Sequence, residues 1–178
     1  METTKNELAP NIKIFFNNLR DYIDTPLLYY GSIQRSDYIP GKSDIDILIF
    51  TDNEHSIMSK IQHFLHVSKT DFKKVVWQLG ESMAYGYKLQ YTNLEEQIIS
   101  EMSIYNNRYK TIILNEYTDK FVLPIYISGL LYIVKFLYYQ LHVLTTKQYS
   151  TMKRFILNTL MGKGDTKFLL IHPTDTTQ

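Results

Sequence analysis

Two carboxylates and a glycine-serine pair carry the chemistry that this sequence offers. Asp44 and Asp46 lie in the run Ser43-Asp44-Ile45-Asp46-Ile47-Leu48-Ile49-Phe50. In a strand alternate side chains share a face, so the two carboxylates project together while Ile45 and Ile47 point into a core. Held side by side at the start of an apolar strand, they repel each other and resist desolvation, and a cation relieves both costs. Oxygen-only ligands of this kind suit Mg2+ or Mn2+. Upstream, Leu27-Leu28-Tyr29-Tyr30 stops at Gly31-Ser32. A glycine admits phosphate oxygens close to the backbone, where amides and a serine hydroxyl donate to them. An Asp-x-Asp pair also occurs where a strand merely begins with hydrated carboxylates, so the pair alone leaves that alternative open. Gly31-Ser32 shifts the balance toward a cation site beside a phosphate cradle.

The elements that must position these residues follow from periodicity. Pro26 favours an extended Thr25 ahead of the first strand, and a polar loop leads to the second. Leu8, Ile12, Phe15, Phe16, Leu19 and Ile23 recur at three- and four-residue steps, predicting an amphipathic helix over 6–23. Thr51-Asp52-Asn53 caps a second helix marked by Ile57, Ile61, Phe64 and Leu65. Lys73 to Leu79 and Ala84 to Tyr91 read as a hairpin around Gly80-Glu81-Ser82. Asn93 to Tyr105 reads as a helix, and Lys110 to Tyr117 as a short edge strand. Phe121 to Leu144 reads as one helix with Pro124 in its first turn and a polar stripe of Ser128, Lys135, Tyr139 and His142. That stripe faces either water or a cleft. A last helix runs from Thr146 to Leu160 and ends at Gly162-Lys163-Gly164-Asp165, which lacks the spacing of a Walker-type phosphate loop.

Gly31-Ser32, the loop ending Pro40-Gly41-Lys42-Ser43, and Asp44-Ile45-Asp46 with its apolar continuation resemble the signature of the DNA polymerase beta-like nucleotidyltransferase superfamily. The spacing looks most like its small bacterial-type and antibiotic-modifying adenylyltransferase branches. The resemblance implies an α+β nucleotidyltransferase fold, a small mixed β-sheet flanked by helices and followed by C-terminal helices. On that basis residues 1–118 form the core, 119–172 a helical portion packed on it, and 173–178 a flexible tail. It also implies transfer of an NMP group from an NTP to an acceptor hydroxyl or phosphate, with Mg2+ or Mn2+ and release of pyrophosphate. Asp44 and Asp46 would be catalytic and metal-binding, and Gly31, Ser32, Lys42 and Ser43 would hold the nucleotide.

The superfamily usually places a third carboxylate between apolar residues on the strand that follows. The corresponding pattern here is Tyr87-Lys88-Leu89-Gln90-Tyr91, which puts Gln90 at that position. A glutamine can ligate but adds no charge, so acceptor activation would pass to Glu81, Glu95, Glu96 or Glu101. The last three are expected on the solvent face of the 93–105 helix. A second reading is therefore a degenerate fold that binds nucleotide, nucleic acid or a protein partner without turnover. A third is a helical or membrane-associated module built on 121–144.

Composition narrows the partners. A formal charge of +1 gives no broad electrostatic footprint for a nucleic-acid backbone, which argues against long duplex DNA. Small molecules, proteins and RNA ends remain as acceptors. The chain has no cysteine, which rules out disulfides and thiolate metal sites. Residues 1–10 lack a signal-peptide pattern, so a cytoplasmic setting without membrane contact is expected.

Overall fold

Ile45, Ile47, Leu48 and Ile49 are all essentially inaccessible, and a run rich in β-branched residues favours extended backbone. They form β2 (Ile45–Thr51), around which the sheet is built. The structure, a computed structural model, describes residues 2–79, 81–121, 124–159 and 168–171. β1 (Leu28–Tyr30) runs antiparallel along one side of β2, and β5 (Ile98–Asn106) runs parallel along the other. β4 (Ser82–Asn93) pairs with β5 and β3 (Lys73–Leu79) with β4, both antiparallel. β6 (Phe168–Ile171) closes the far edge, giving the order β1-β2-β5-β4-β3-β6.

The two faces are covered differently. α1 (Pro10–Ile23) and α2 (Glu54–Leu65) bury Ile12, Phe16, Leu19, Ile23, Ile57, Met58, Ile61 and Leu65 against Ile45, Ile47, Ile49, Leu89 and Met102. Asn53 caps α2 by accepting from the Ser56 amide at 3.0 Å, as its sequence position predicts. On the other face Leu28, Tyr30, Leu48, Phe50, Trp77 and Tyr105 pack with Ile113 and Tyr117 of α3 (Lys110–Phe121). α4 (Ile125–Tyr139) and α5 (Thr146–Thr159) form a further small core through Ile127, Leu131, Val134 and Ile156.

Several sequence expectations need correction. Residues 93–105 are the end of β4, a turn and β5, not a helix. Ile98, Met102 and Tyr105 recur at helical steps, but Ser100, Ser103 and Ile104 are buried as well, and a strand covered on both faces loses its clean alternation. Lys110 to Tyr117 is helical rather than a strand, because its apolar run packs edgewise on the sheet as part of α3. The 121–144 stretch is not one helix: α3 ends at Phe121, Pro124 is the N-cap of α4 rather than a first-turn residue, and α4 ends at Tyr139. His142 therefore lies past the helix, with φ 53. Among the described residues no helix is long and apolar enough to cross a membrane. Residues 168–171, assigned to the helical portion, add a strand to the core sheet. The Gly162–Asp165 turn and the 173–178 tail lie outside the described residues.

Candidate active site

The register of three strands assembles the site. Asp44 immediately precedes β2 and Asp46 lies within it on the same face, both half-buried. The antiparallel pairing of β1 sets Tyr30 opposite Asp46, and the parallel pairing of β5 sets Glu101 opposite Asp46 on the other side. The Ser100 hydroxyl, donating to the Ile45 carbonyl at 2.8 Å, pins that register. Gln90 on β4 pairs with Glu101. A single row across the sheet thus reads Tyr30, Asp46, Glu101, Gln90. Gln90 is exposed and separated from β2 by the whole of β5. The carboxylate on the strand next to Asp46 is Glu101.

Gly31 directly follows β1 with φ +73, a conformation side chains disfavour, and a Cβ built there would collide with Asp46 Oδ2. Only glycine lets the backbone turn flat against the carboxylate. Ser32 follows, buried, and its hydroxyl has no hydrogen-bond partner among the described residues. Such an orphan donor is costly and fits a ligand oxygen.

Electrostatically the site carries excess negative charge. Burial, then Asp44 and Glu101, push the Asp46 carboxyl well above its usual range, although Lys153 of α5 and Arg35 pull it down. Glu101 Oε1 meets Lys88 Nζ at 2.6 Å and accepts from the Tyr30 hydroxyl at 3.3 Å. Burial raises Tyr30 well above 10.0, so its phenol stays neutral and keeps the proton it donates. The donor set is all oxygen, which fits a hard divalent cation, with Asp44 and Asp46 as the residues to hold it. Among the described residues no three carboxylates or imidazoles converge tightly enough to cage a metal ion by themselves.

A second charged cluster stands behind the loop that joins the two halves of the signature. Asp37 is fully buried and binds Arg35 Nε at 2.8 Å through Oδ1 and Lys135 Nζ at 3.1 Å through Oδ2. Lys135, from α4, also donates to the Asp37 carbonyl at 2.8 Å and to Ser43 Oγ at 3.2 Å. Asp37 is held below the usual carboxylate value: burial opposes this, but the Arg35 and Lys135 partners outweigh it. Burial lowers Lys135 in turn, with Asp37 opposing.

The expected nucleotide-binding residues separate in this geometry. Gly31 and Ser32 lie at Asp46. Ser43 is buried and engaged, with Oγ accepting from the Ile39 amide at 3.1 Å and from Lys135, which suits it to shaping the loop. Lys42 is exposed on that loop. Of the polar stripe, Ser128 and Lys135 turn inward, while His142 is exposed. Glu95 and Glu96 lie in a turn that the Asn93 side chain caps, its Oδ1 accepting from both of their amides at 3.1 Å. Glu101 lies between Ser100 and Met102, both buried, and no polar-apolar alternation in the sequence marks it.

No curated protein sequence matches the chain. Among solved structures it is similar to Cid1, described as having RNA terminal uridylyl transferase activity, at 18% identity and a TM-score of 0.41. That similarity covers 74% of this chain and 43% of Cid1, so the chain spans less than half of that protein's length. Residues 12–120 match the family described as the nucleotidyltransferase domain. The run from Gly31 to Asp46 and the strand bearing Glu101 both fall within that span, and the chain belongs to the nucleotidyltransferase domain family, of the DNA polymerase beta-like superfamily.

Proposed function

We propose that this protein transfers an NMP group from an NTP to an acceptor hydroxyl or phosphate, with Mg2+ or Mn2+ held by Asp44 and Asp46. The observation that carries this reading is Glu101, in register beside Asp46, where the sequence alone offered a glutamine. With a hydroxyl acceptor, its oxygen bonds to the α-phosphorus, the bond to pyrophosphate breaks, and the hydroxyl proton passes to the Glu101 carboxylate. The Gly31 backbone and the Ser32 hydroxyl receive the β- and γ-phosphate oxygens, an assignment the orphan Ser32 Oγ supports. When bound, the cation neutralises charge on the triphosphate. Lys153 and Arg35, which already act on Asp46, add positive potential there. The reading as a binding module without turnover leaned on Gln90, and Glu101 removes that support.

The experiment is incubation of the full chain with each α-labelled NTP and Mg2+ or Mn2+, offering RNA, protein and small-molecule acceptors from a cell extract. Label transfer by the native chain and none by an Asp44→Ala, Asp46→Ala variant is the expected result. Equal label in both would sink the proposal, and nucleotide binding without any transfer would restore the binding module.

A further inference from the structure

We propose that the Lys88 ammonium stands at Glu101 where a second divalent cation would otherwise bind, so that this site works with one divalent cation, held by Asp44 and Asp46. The inference rests on the nucleotidyltransferase reading above.

The placement of Lys88 is specified by the sheet. It lies opposite Ser103 on β5, the next same-face position along from the Gln90 and Glu101 pair. A lysine side chain reaches that diagonal neighbour. On its other side Lys88 faces Lys73 of β3, residue against residue. Like charges directly opposite are unfavourable, which biases the Lys88 ammonium toward β5. There it meets Glu101 Oε1 at 2.6 Å, with the two side chains 19% and 20% exposed. At that exposure solvent screens the pair far less than it screens a surface ion pair. The Tyr30 hydroxyl donates to the same oxygen from the β1 side, so Oε1 is engaged from both flanks.

Charge at Glu101 points the same way: the Lys88 ammonium already supplies positive charge at the carboxylate where a second dication would otherwise supply it. A further dication at Oε1 would meet the ammonium at contact range, where repulsion between like charges is severe. The geometry agrees: Glu101 turns to Lys88 instead of closing with Asp44 and Asp46 into a three-carboxylate cage. An open cavity of about 290 Å³ lined by Thr70, Asp71, Lys73, Lys88 and Gln90 lies beside Lys88.

The test counts ions. The full chain, with a non-hydrolysable NTP analogue, is titrated with Mn2+, and free Mn2+ is followed by its paramagnetic resonance signal. The native complex is expected to saturate at one ion, and Lys88→Arg likewise. Lys88→Met is expected to take a second ion about tenfold or more tighter than the native complex does. Glu101→Gln, which leaves the aspartates intact, is expected to keep the single ion. Two ions in the native complex, no gain in Lys88→Met, or loss of the ion in Glu101→Gln would each overturn the inference while leaving the nucleotidyltransferase reading standing. Absence of any bound ion, with Asp44→Ala, Asp46→Ala indistinguishable from native, would overturn both. Should Lys88→Met not fold, the native and Glu101→Gln counts still decide.

Discussion

Asp37 and Asp46 flank the same loop and live in opposite electrostatic conditions. Asp37 is buried between two cations, with every carboxylate oxygen engaged, and its acidity is enhanced. Asp46 is half-buried between two carboxylates, and its acidity is suppressed. The first cluster is complete within the protein and fixes the loop to α4. The second is left with unbalanced negative charge, which is what the proposed cation site requires. Charge satisfaction therefore separates structural from chemical carboxylates here better than burial does.

The sharpest way to break this contrast is to remove each carboxylate and compare unfolding midpoints in urea. Asp37→Ala leaves the Lys135 ammonium buried without its partner and is expected to cost about 3–5 kcal/mol. Asp46→Asn relieves repulsion and is expected to leave stability equal or higher, while NMP transfer drops by about 10²-fold or more. A comparable loss of stability in both would erase the distinction. Next in size is Gly31→Ala, where positive φ and the collision with Asp46 are expected to cost about 1–3 kcal/mol and to lower activity with it. An alanine variant as stable and active as native would show that the turn does not rest against the carboxylate.

The smallest effect is a difference in pH dependence, measured in EDTA. Asp37 has a folded value below 3.8, so its stabilisation is present above 3.8 and lost as pH falls through the folded value. The stability gap between native protein and Asp37→Asn should shrink on that acid limb. Asp46 has a folded value above 3.8, so its contribution has the opposite sign: a penalty absent at low pH that grows as pH rises above 3.8. Relative to Asp46→Asn, the native protein should lose stability over that rise, and Mg2+ should restore it. Parallel curves for the two variants would mean that the clusters do not differ as described.

The two strands that carry Leu27 to Phe50 of the candidate site were legible from local chemistry: an apolar run cut by Gly-Ser, then alternating carboxylate and isoleucine. α1, α2 and the β3-β4 hairpin were legible from period and caps. Glu101 was not, because β5 is covered on both faces and its Ile98, Met102 and Tyr105 mimic helical steps. The superfamily pattern on the strand that follows points to β4, where the matching position is Gln90. Lys135 was hidden for another reason. The polar stripe left Lys135 facing either water or a cleft, and its partner Asp37 lies 98 residues away in sequence, beyond any local pattern.

The parallel pairing of β2 with β5 also dictates when the site exists during folding. The β3-β4 and β4-β5 pairings join neighbours along the chain and close short loops, whereas β2 reaches β5 across the whole hairpin, as in the Ser100 to Ile45 contact spanning 55 residues. Contacts of such separation carry the larger loop-closure cost and form against it. Asp46 and Glu101 meet only at that step. A partly folded chain with its hairpins in place holds each carboxylate on a different fragment, and so has much of the sheet but none of the chemistry.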